Sequence, residues 1–206
     1  MFERFLGAFT ASGSREVIAP SQATVGAWLE AAGGLSFDGG LYRVHTKASA
    51  IASDALVRHA YPEFAGRLAC FGYDWLGRQF ATDTGSGTSD DPEVVLFEPG
   101  TGEALEIPVP FSLFHDEELV DFGEEALARS FFEQWRRSGG EAPELSECVG
   151  YKRPLFLGGE DTVANLEVSD LDAYWTIMGQ FRLQVQGLPE GASITGVVRD
   201  QSSSGR

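Results

Sequence analysis

The sequence predicts an α+β fold: a central antiparallel sheet flanked by helices, with a mostly helical C-terminal half. Three observations carry this expectation. Short apolar runs between residues 68 and 108 are separated by turn residues, not by helical segments. Helix-period stripes lie on both sides of that block, near residues 25–32, 48–61 and 171–185. No alternating strand–helix series of the doubly wound kind is present.

Taken in order, Val25, Trp28, Leu29 and Ala32 recur at helical spacing after Pro20-Ser21, and Gly33-Gly34 ends the run. Phe37-Asp38-Gly39-Gly40 reads as a turn, and Leu41 to His45 alternates as a half-buried strand does. A second helix is expected from Ala48 to Tyr61, with Ile51, Ala52, Ala55, Leu56 and His59 on its buried face and Pro62 closing it. Leu68–Gly72 and Arg78–Thr82 form a hairpin around Asp74-Trp75-Leu76-Gly77, followed by a polar loop from Gly85 to Ser89. Val94–Phe97 reads as a buried strand, turned by Pro99-Gly100-Thr101-Gly102 into the alternating Glu103–Pro108. Phe111–Phe122 is expected as a short helix with an acidic face. Glu124–Arg137 is expected as one longer helix, its first-turn glutamates and last-turn Arg136-Arg137 matching the helix dipole. Tyr151–Gly159 reads as a short strand or apolar loop. The last helix opens on a capping-box-like Ser169-x-x-Asp172, carries Leu171, Tyr174, Trp175, Met178, Phe181 and Val185 on one stripe, and stops at Gly187 and Pro189. Residues 191–206 are expected as a flexible tail.

The charge is more informative than the size. Thirty-one acids against 15 bases leave a net −16 on 206 residues, while 43% hydrophobic content suffices for a core. Such a surface repels nucleic-acid phosphate and anionic membrane, and it steers in a basic partner. The excess is uneven: residues 1–83 hold eight acids and seven bases, residues 84–206 hold 23 acids and eight bases. No Lys or Arg occurs between Arg78 and Arg129. A solvated, solubilising face is the simpler reading of this window. The sharper one is a docking surface for a basic protein, with Asp83, Asp90, Asp91, Glu93, Asp116, Glu117, Glu118 and Asp121 as the partner-binding candidates.

Catalytic and cofactor motifs are weak. Asp83-Thr84-Gly85-Ser86 matches the aspartic-protease signature, but the two-carboxylate chemistry needs a second copy that the chain lacks. The Asp83–Asp91 segment lacks the calcium-loop register, and Gly85-x-Gly87 lacks the third glycine of a dinucleotide fingerprint. Three histidines and two distant cysteines, Cys70 and Cys148, make a zinc site improbable, and both thiols are expected buried and free. His115 is expected on the surface beside Asp116, His45 in a structural hydrogen bond, and His59 on a buried helix face. The expectation is therefore a non-enzyme with no cofactor and no metal. The N-terminus lacks a signal-peptide pattern and no apolar run reaches membrane-spanning length, which points to the cytoplasm.

One resemblance is more specific than any of these signals. Cys148 to Gly159 (Cys-Val-Gly-Tyr-Lys-Arg-Pro-Leu-Phe-Leu-Gly-Gly), then Asn165 to Trp175, then Gly179-Gln180, resemble the C-terminal domain of type VI secretion immunity proteins. Leu41 to Thr46, Phe71 to Arg78 and Phe97 to Glu103 resemble the GAD-like region that precedes it in many members. The resemblance implies a GAD-like α+β region over 1–122, an immunity-family region over 123–190 packed on it, and the tail beyond. It implies a protein that neutralises a DNase toxin of the same secretion system by stoichiometric occlusion, with a basic nuclease as partner and no catalytic residues. The alternative is an acidic SMI1/KNR4-like regulatory interaction module without a toxin partner.

Overall fold

In the computed structural model, residues 1–13, 17–88 and 90–186 are described. The expected ends of the last helix at Gly187 and Pro189 and the 191–206 tail lie outside them. Apolar runs joined by tight turns produce the expected sheet. Strands β1 (Ser36–Phe37), β2 (Tyr42–Val44), β3 (Leu68–Asp74), β4 (Gln79–Gly87), β5 (Pro92–Glu98) and β6 (Glu103–Pro110) pair in sequence order. Every pairing is antiparallel. Helices α1 (Glu3–Ala8), α2 (Val25–Ala32) and α3 (Lys47–Ala60) come from the N-terminal part. A helical run follows β6: α4 (Phe111–Leu113), a π-turn over Phe114–Glu118, α5 (Leu119–Asp121), α6 (Gly123–Leu127) and α7 (Arg129–Arg137). A two-stranded ladder of β7 (Glu147–Tyr151) and β8 (Leu166–Asp170) then leads into α8 (Leu171–Val185).

The sheet is buried on both faces, which explains the uninterrupted apolar run of β5. Side chains alternate across a strand, so Val94 and Leu96 enter one core while Val95 and Phe97 enter the other. The first core joins Phe71 and Phe80 to Phe2, Phe5, Trp28, Phe111 and Phe114 from the N-terminal helices and the helical run. The second joins Cys70, Tyr73 and Ala81 to Val57 and Ala60 of α3, to Tyr61 just beyond it, and to Leu171, Tyr174, Trp175 and Met178 of α8. Cys70 and Cys148 are buried free thiols, as expected.

Four local expectations are corrected. The buried face of α3 is Ala50, Ser53, Val57 and Ala60, whereas Ile51 is 69% exposed and Ala52, Ala55 and His59 face solvent. The reason is close helix packing: a Cβ on Gly179 of α8 would sit 3.0 Å from Ala60 Cβ. Small residues, not large apolar ones, are therefore required at the contact. Second, the expected single helix over 124–137 is broken at Ala128, whose φ of 48° is left-handed. A non-glycine residue there costs roughly 1–2 kcal/mol. The break frees two carbonyls: Arg78 Nη2 donates to Ala126 O at 2.9 Å and Trp75 Nε1 donates to Leu127 O at 3.0 Å. Third, β4 runs on to Gly87, so Gly85 to Gly87 lie on a strand and not in the expected Gly85–Ser89 loop. Fourth, α8 is capped by Asp170, which accepts from Ala173 N–H at 2.8 Å, one residue later than the Ser169 expected.

The β3–β4 turn is where these parts meet. Asp74 Oδ1 accepts from the N–H groups of Leu76 (3.0 Å) and Arg78 (2.9 Å), and Oδ2 accepts from Arg78 Nε at 2.6 Å. The Trp75 carbonyl accepts from Val149 N–H at 2.7 Å and the Gly77 carbonyl from Trp175 Nε1 at 2.7 Å. Gly77 has φ 77°, and a Cβ there would lie 2.9 Å from Cys148 Cβ, so the turn requires glycine. Replacing Arg78 by Met leaves the fully buried Asp74 carboxylate without its counter-ion. The expected cost is about 3–5 kcal/mol, read as a lower urea midpoint at unchanged m-value; a midpoint within error of the parent would refute it.

Candidate interaction face

The acidic window folds into the β4–β5 connection, the β5–β6 hairpin and the helical run after it. One link ties the β4–β5 connection to the helical run. Asp91 Oδ1 accepts from Ser112 N–H at 3.0 Å and Oδ2 from Ser112 Oγ at 2.6 Å. This docks the tip of the β4–β5 connection, with exposed Asp90 beside it, onto the start of the helical run. Glu93 is half-buried on β5, in register with Asp83 and Pro110.

Asp83 is the exception among the candidates. It points inward, only 3% exposed, and forms a two-point ion pair with Arg67, donated by Nε (2.7 Å) and Nη2. Gly85 N–H donates to the same carboxylate at 2.8 Å. The expectation that Asp83 lies on the docking surface is corrected: strand alternation turns it in, and Arg67 neutralises it. The same contacts occupy both oxygens that a protease-type carboxylate would need free.

Along the helical run the candidates divide by role. Asp116 Oδ1 accepts from Phe5 N–H at 3.0 Å, and its carbonyl accepts from Arg4 Nη1 at 2.7 Å, so Asp116 fastens α1. Asp121 receives both Arg4 nitrogens, at 3.0 and 2.7 Å, and this hydrogen-bonded guanidinium holds its carboxyl below the usual range. Glu117 is exposed and Glu118 half-buried. Burial pushes the Glu118 carboxyl up, and the charge of Glu125 adds to that. Glu124 accepts from Ser130 N–H at 3.0 Å and Ser130 Oγ at 2.9 Å, bridging the break between α6 and α7.

Two features of this face escaped the sequence reading. Phe122, between α5 and α6, is 54% exposed among Glu118, Asp121, Glu124 and Glu125 in sequence, and Leu113 of α4 is 41% exposed. Neither could be told from a core residue by composition. His115 is fully buried, not at the surface, with Nε2 3.0 Å from Tyr42 Oη and its ring between Trp28, Phe2 and Phe71. The recurrence of Phe111, Phe114, His115 and Leu119 at three- and four-residue steps was the available signal. His45 is buried and makes the expected structural hydrogen bond, its Nε2–H donating to Gln79 Oε1 at 2.7 Å. Among the described residues no group of His, Cys, Asp and Glu could hold a metal ion, and no helix is long and apolar enough to cross a membrane.

Residues 110–182, about a third of the chain, match the model of the C-terminal domain of T6SS immunity protein Tdi1, so this region is similar to that of a type VI secretion immunity protein. The matched segment takes in the whole acidic helical run, the β7–β8 ladder and most of α8. The structure is also similar to the crystal structure of Atu4351 from Agrobacterium tumefaciens, with TM-score 0.56 and 17% identity over 87% of this chain and 89% of that one. At that identity the likeness concerns the fold. No curated protein matches the chain.

Burial has a measurable consequence for the two inward histidines. It depresses His115 to about 3 and His45 to about 4, from an ordinary 6.5. Both stay neutral in the folded protein while the unfolded chain takes up protons below about pH 6.5. Their contribution is therefore fully present above pH 6.5 and is lost on acidification toward the folded values. Each contributes a slope of up to about 1.4 kcal/mol per pH unit in that window. Denaturation between pH 7 and 5 should show stability falling with pH, and His45→Gln should flatten the curve. An equally steep curve in the variant would contradict this.

Proposed function

We propose that this chain is a cytoplasmic immunity protein that binds a cognate type VI secretion DNase toxin and neutralises it by stoichiometric occlusion, without catalysing a reaction. The observation that carries the proposal is the family match over residues 110–182, which contains the acidic helical run after β6. A nuclease binds polyphosphate and needs a basic cleft. Carboxylates held on a pre-shaped face can take the place of those phosphates, and opposite charge raises the rate of capture.

The face we assign to the toxin comprises Asp90, Asp91, Glu93, Asp116, Glu117, Glu118 and Asp121, extended by Glu124 and Glu125. Within it Asp91, Asp116 and Asp121 also fasten the surface from inside, which leaves Glu117, Glu118 and Glu125 freer to meet a partner. Phe122 supplies an exposed aromatic of the kind that anchors interfaces. We assign residues 1–122 to the GAD-like scaffold and 123–190 to the immunity-family region packed on it.

Co-expression with the cognate DNase toxin, scored by survival and co-purification, tests the proposal. An SMI1/KNR4-like regulatory module would leave the cells unprotected. Reversing Glu117 and Glu118 to Lys together should slow association at least tenfold at low salt and flatten its salt dependence, measured by surface plasmon resonance. An unchanged association rate removes this patch. Phe122→Ala should act on the other rate, speeding dissociation about tenfold or more with the salt dependence intact; equal dissociation rates would deny it an anchoring role.

A further inference from the structure

A cavity of about 270 Å³ opens between α3, strands β2 and β3 and the start of α8, on the sheet face opposite the acidic helical run. His45 and Tyr73 line it, their rings stacked with centroids 4.5 Å apart. Ser49 and Ser53 supply hydroxyls, and the exposed residues Asp170 and Asp172 bring two carboxylates at the start of α8. Exposed Leu145 adds an apolar edge. No Lys or Arg side chain lines the space.

We propose that this cavity receives a guanidinium or alkylammonium group, with Asp172 as its principal charge partner and the Tyr73–His45 pair as its aromatic wall. The lining chemistry selects for this class. Two carboxylates and the Ser53 hydroxyl accept hydrogen bonds from a cation, whereas Ser49 Oγ is held by Thr46 and His45 and the stacked Tyr73–His45 pair serves as a wall. His45, uncharged at neutral pH through burial, does not repel it. Two positive features oppose binding and are smaller. Arg43 lies 4.4 Å from the Tyr73 ring centroid, yet it is buried and its Nη groups donate to the carbonyls of Glu144, Glu147 and Asp74. The N-terminus of α8 carries about half a charge, and Asp170 already caps it. The volume lies just below the ~300–1,000 Å³ typical of small-molecule sites, which suits one long basic side chain or a small amine.

The cavity does not require the toxin-binding proposal, and the test separates the two. Arginine amide, its α-amine blocked by acetylation, is titrated into the protein and followed by ¹H–¹⁵N NMR, with likewise acetylated norleucine amide as the uncharged control. Saturable shifts centred on His45, Ser49, Tyr73 and Asp172 are expected for arginine amide alone. Asp172→Asn, which removes no capping or buried contact, should weaken binding at least fivefold. Ala52→Leu, at an exposed position of the lining, should obstruct the cavity and weaken binding in a variant whose spectrum remains folded. Absence of saturable shifts, equal response to norleucine amide, or an unaffected Asp172→Asn variant would each overturn the proposal. Adding the cognate DNase toxin to the loaded protein identifies the natural source. Displacement of arginine amide means a side chain of that partner occupies the site; retention means a free cationic metabolite does, and the site stands in either case.

Discussion

The buried ion pair of Asp74 and Arg78 is the constraint on which the architecture depends. Five residues of one hairpin turn meet the sheet, α6, β7 and α8 through the turn's side chains and carbonyls. Asp74 closes the turn by accepting from the backbone of Leu76 and from both the backbone and the guanidinium of Arg78. Arg78 and Trp75 then reach the two carbonyls that the break at Ala128 leaves free. The turn's own carbonyls take Val149 N–H and Trp175 Nε1. A buried pair of this kind does little for net stability on its own, but it admits one arrangement of the surrounding layers. The break in the helix and the hairpin turn are thus two halves of one hydrogen-bonding solution.

Arg43 performs a related task for the C-terminal region. Fully buried on β2, it donates to the Glu144 and Glu147 carbonyls ahead of β7 and to Asp74 O. The segment matched to the Tdi1 C-terminal domain therefore rests on cations supplied by the N-terminal sheet. The same pattern holds at the acidic face, where Arg4 of α1 meets Asp116 and Asp121.

The other cations are tied into the fold as well. Arg67, Arg129 and Arg182 are paired with Asp83, Asp38 and Glu63. Lys152 and Arg153 donate to the carbonyls of Ala164 and Leu157. Pairing cancels charge locally and leaves the excess of 31 acids over 15 bases unchanged. The negative field is therefore set by where that excess lies along the chain, and the window between Arg78 and Arg129 holds no Lys or Arg.

Much of the sheet could be read directly from the chain, since each strand is a short apolar run bounded by turn residues and the connections are local. The Val94–Phe97 strand, the Asp74–Gly77 turn and the α8 stripe all follow from period and turn chemistry. The acidic character of the face was also legible, because charge is additive along a chain. Which acids face outward was not. Asp83 turns inward because strand alternation places it beside Arg67, sixteen residues away, and Asp121 meets Arg4 from the opposite end of the chain. The buried phase of α3 was hidden for a similar reason: Ala60 and Ser53 are inside because Gly179 allows a close approach, a condition set by another helix. Periodicity and charge are properties of neighbouring residues, and the sequence alone determines them. Pairing, burial and cavity shape arise between segments far apart in the chain, so only the tertiary structure decides them.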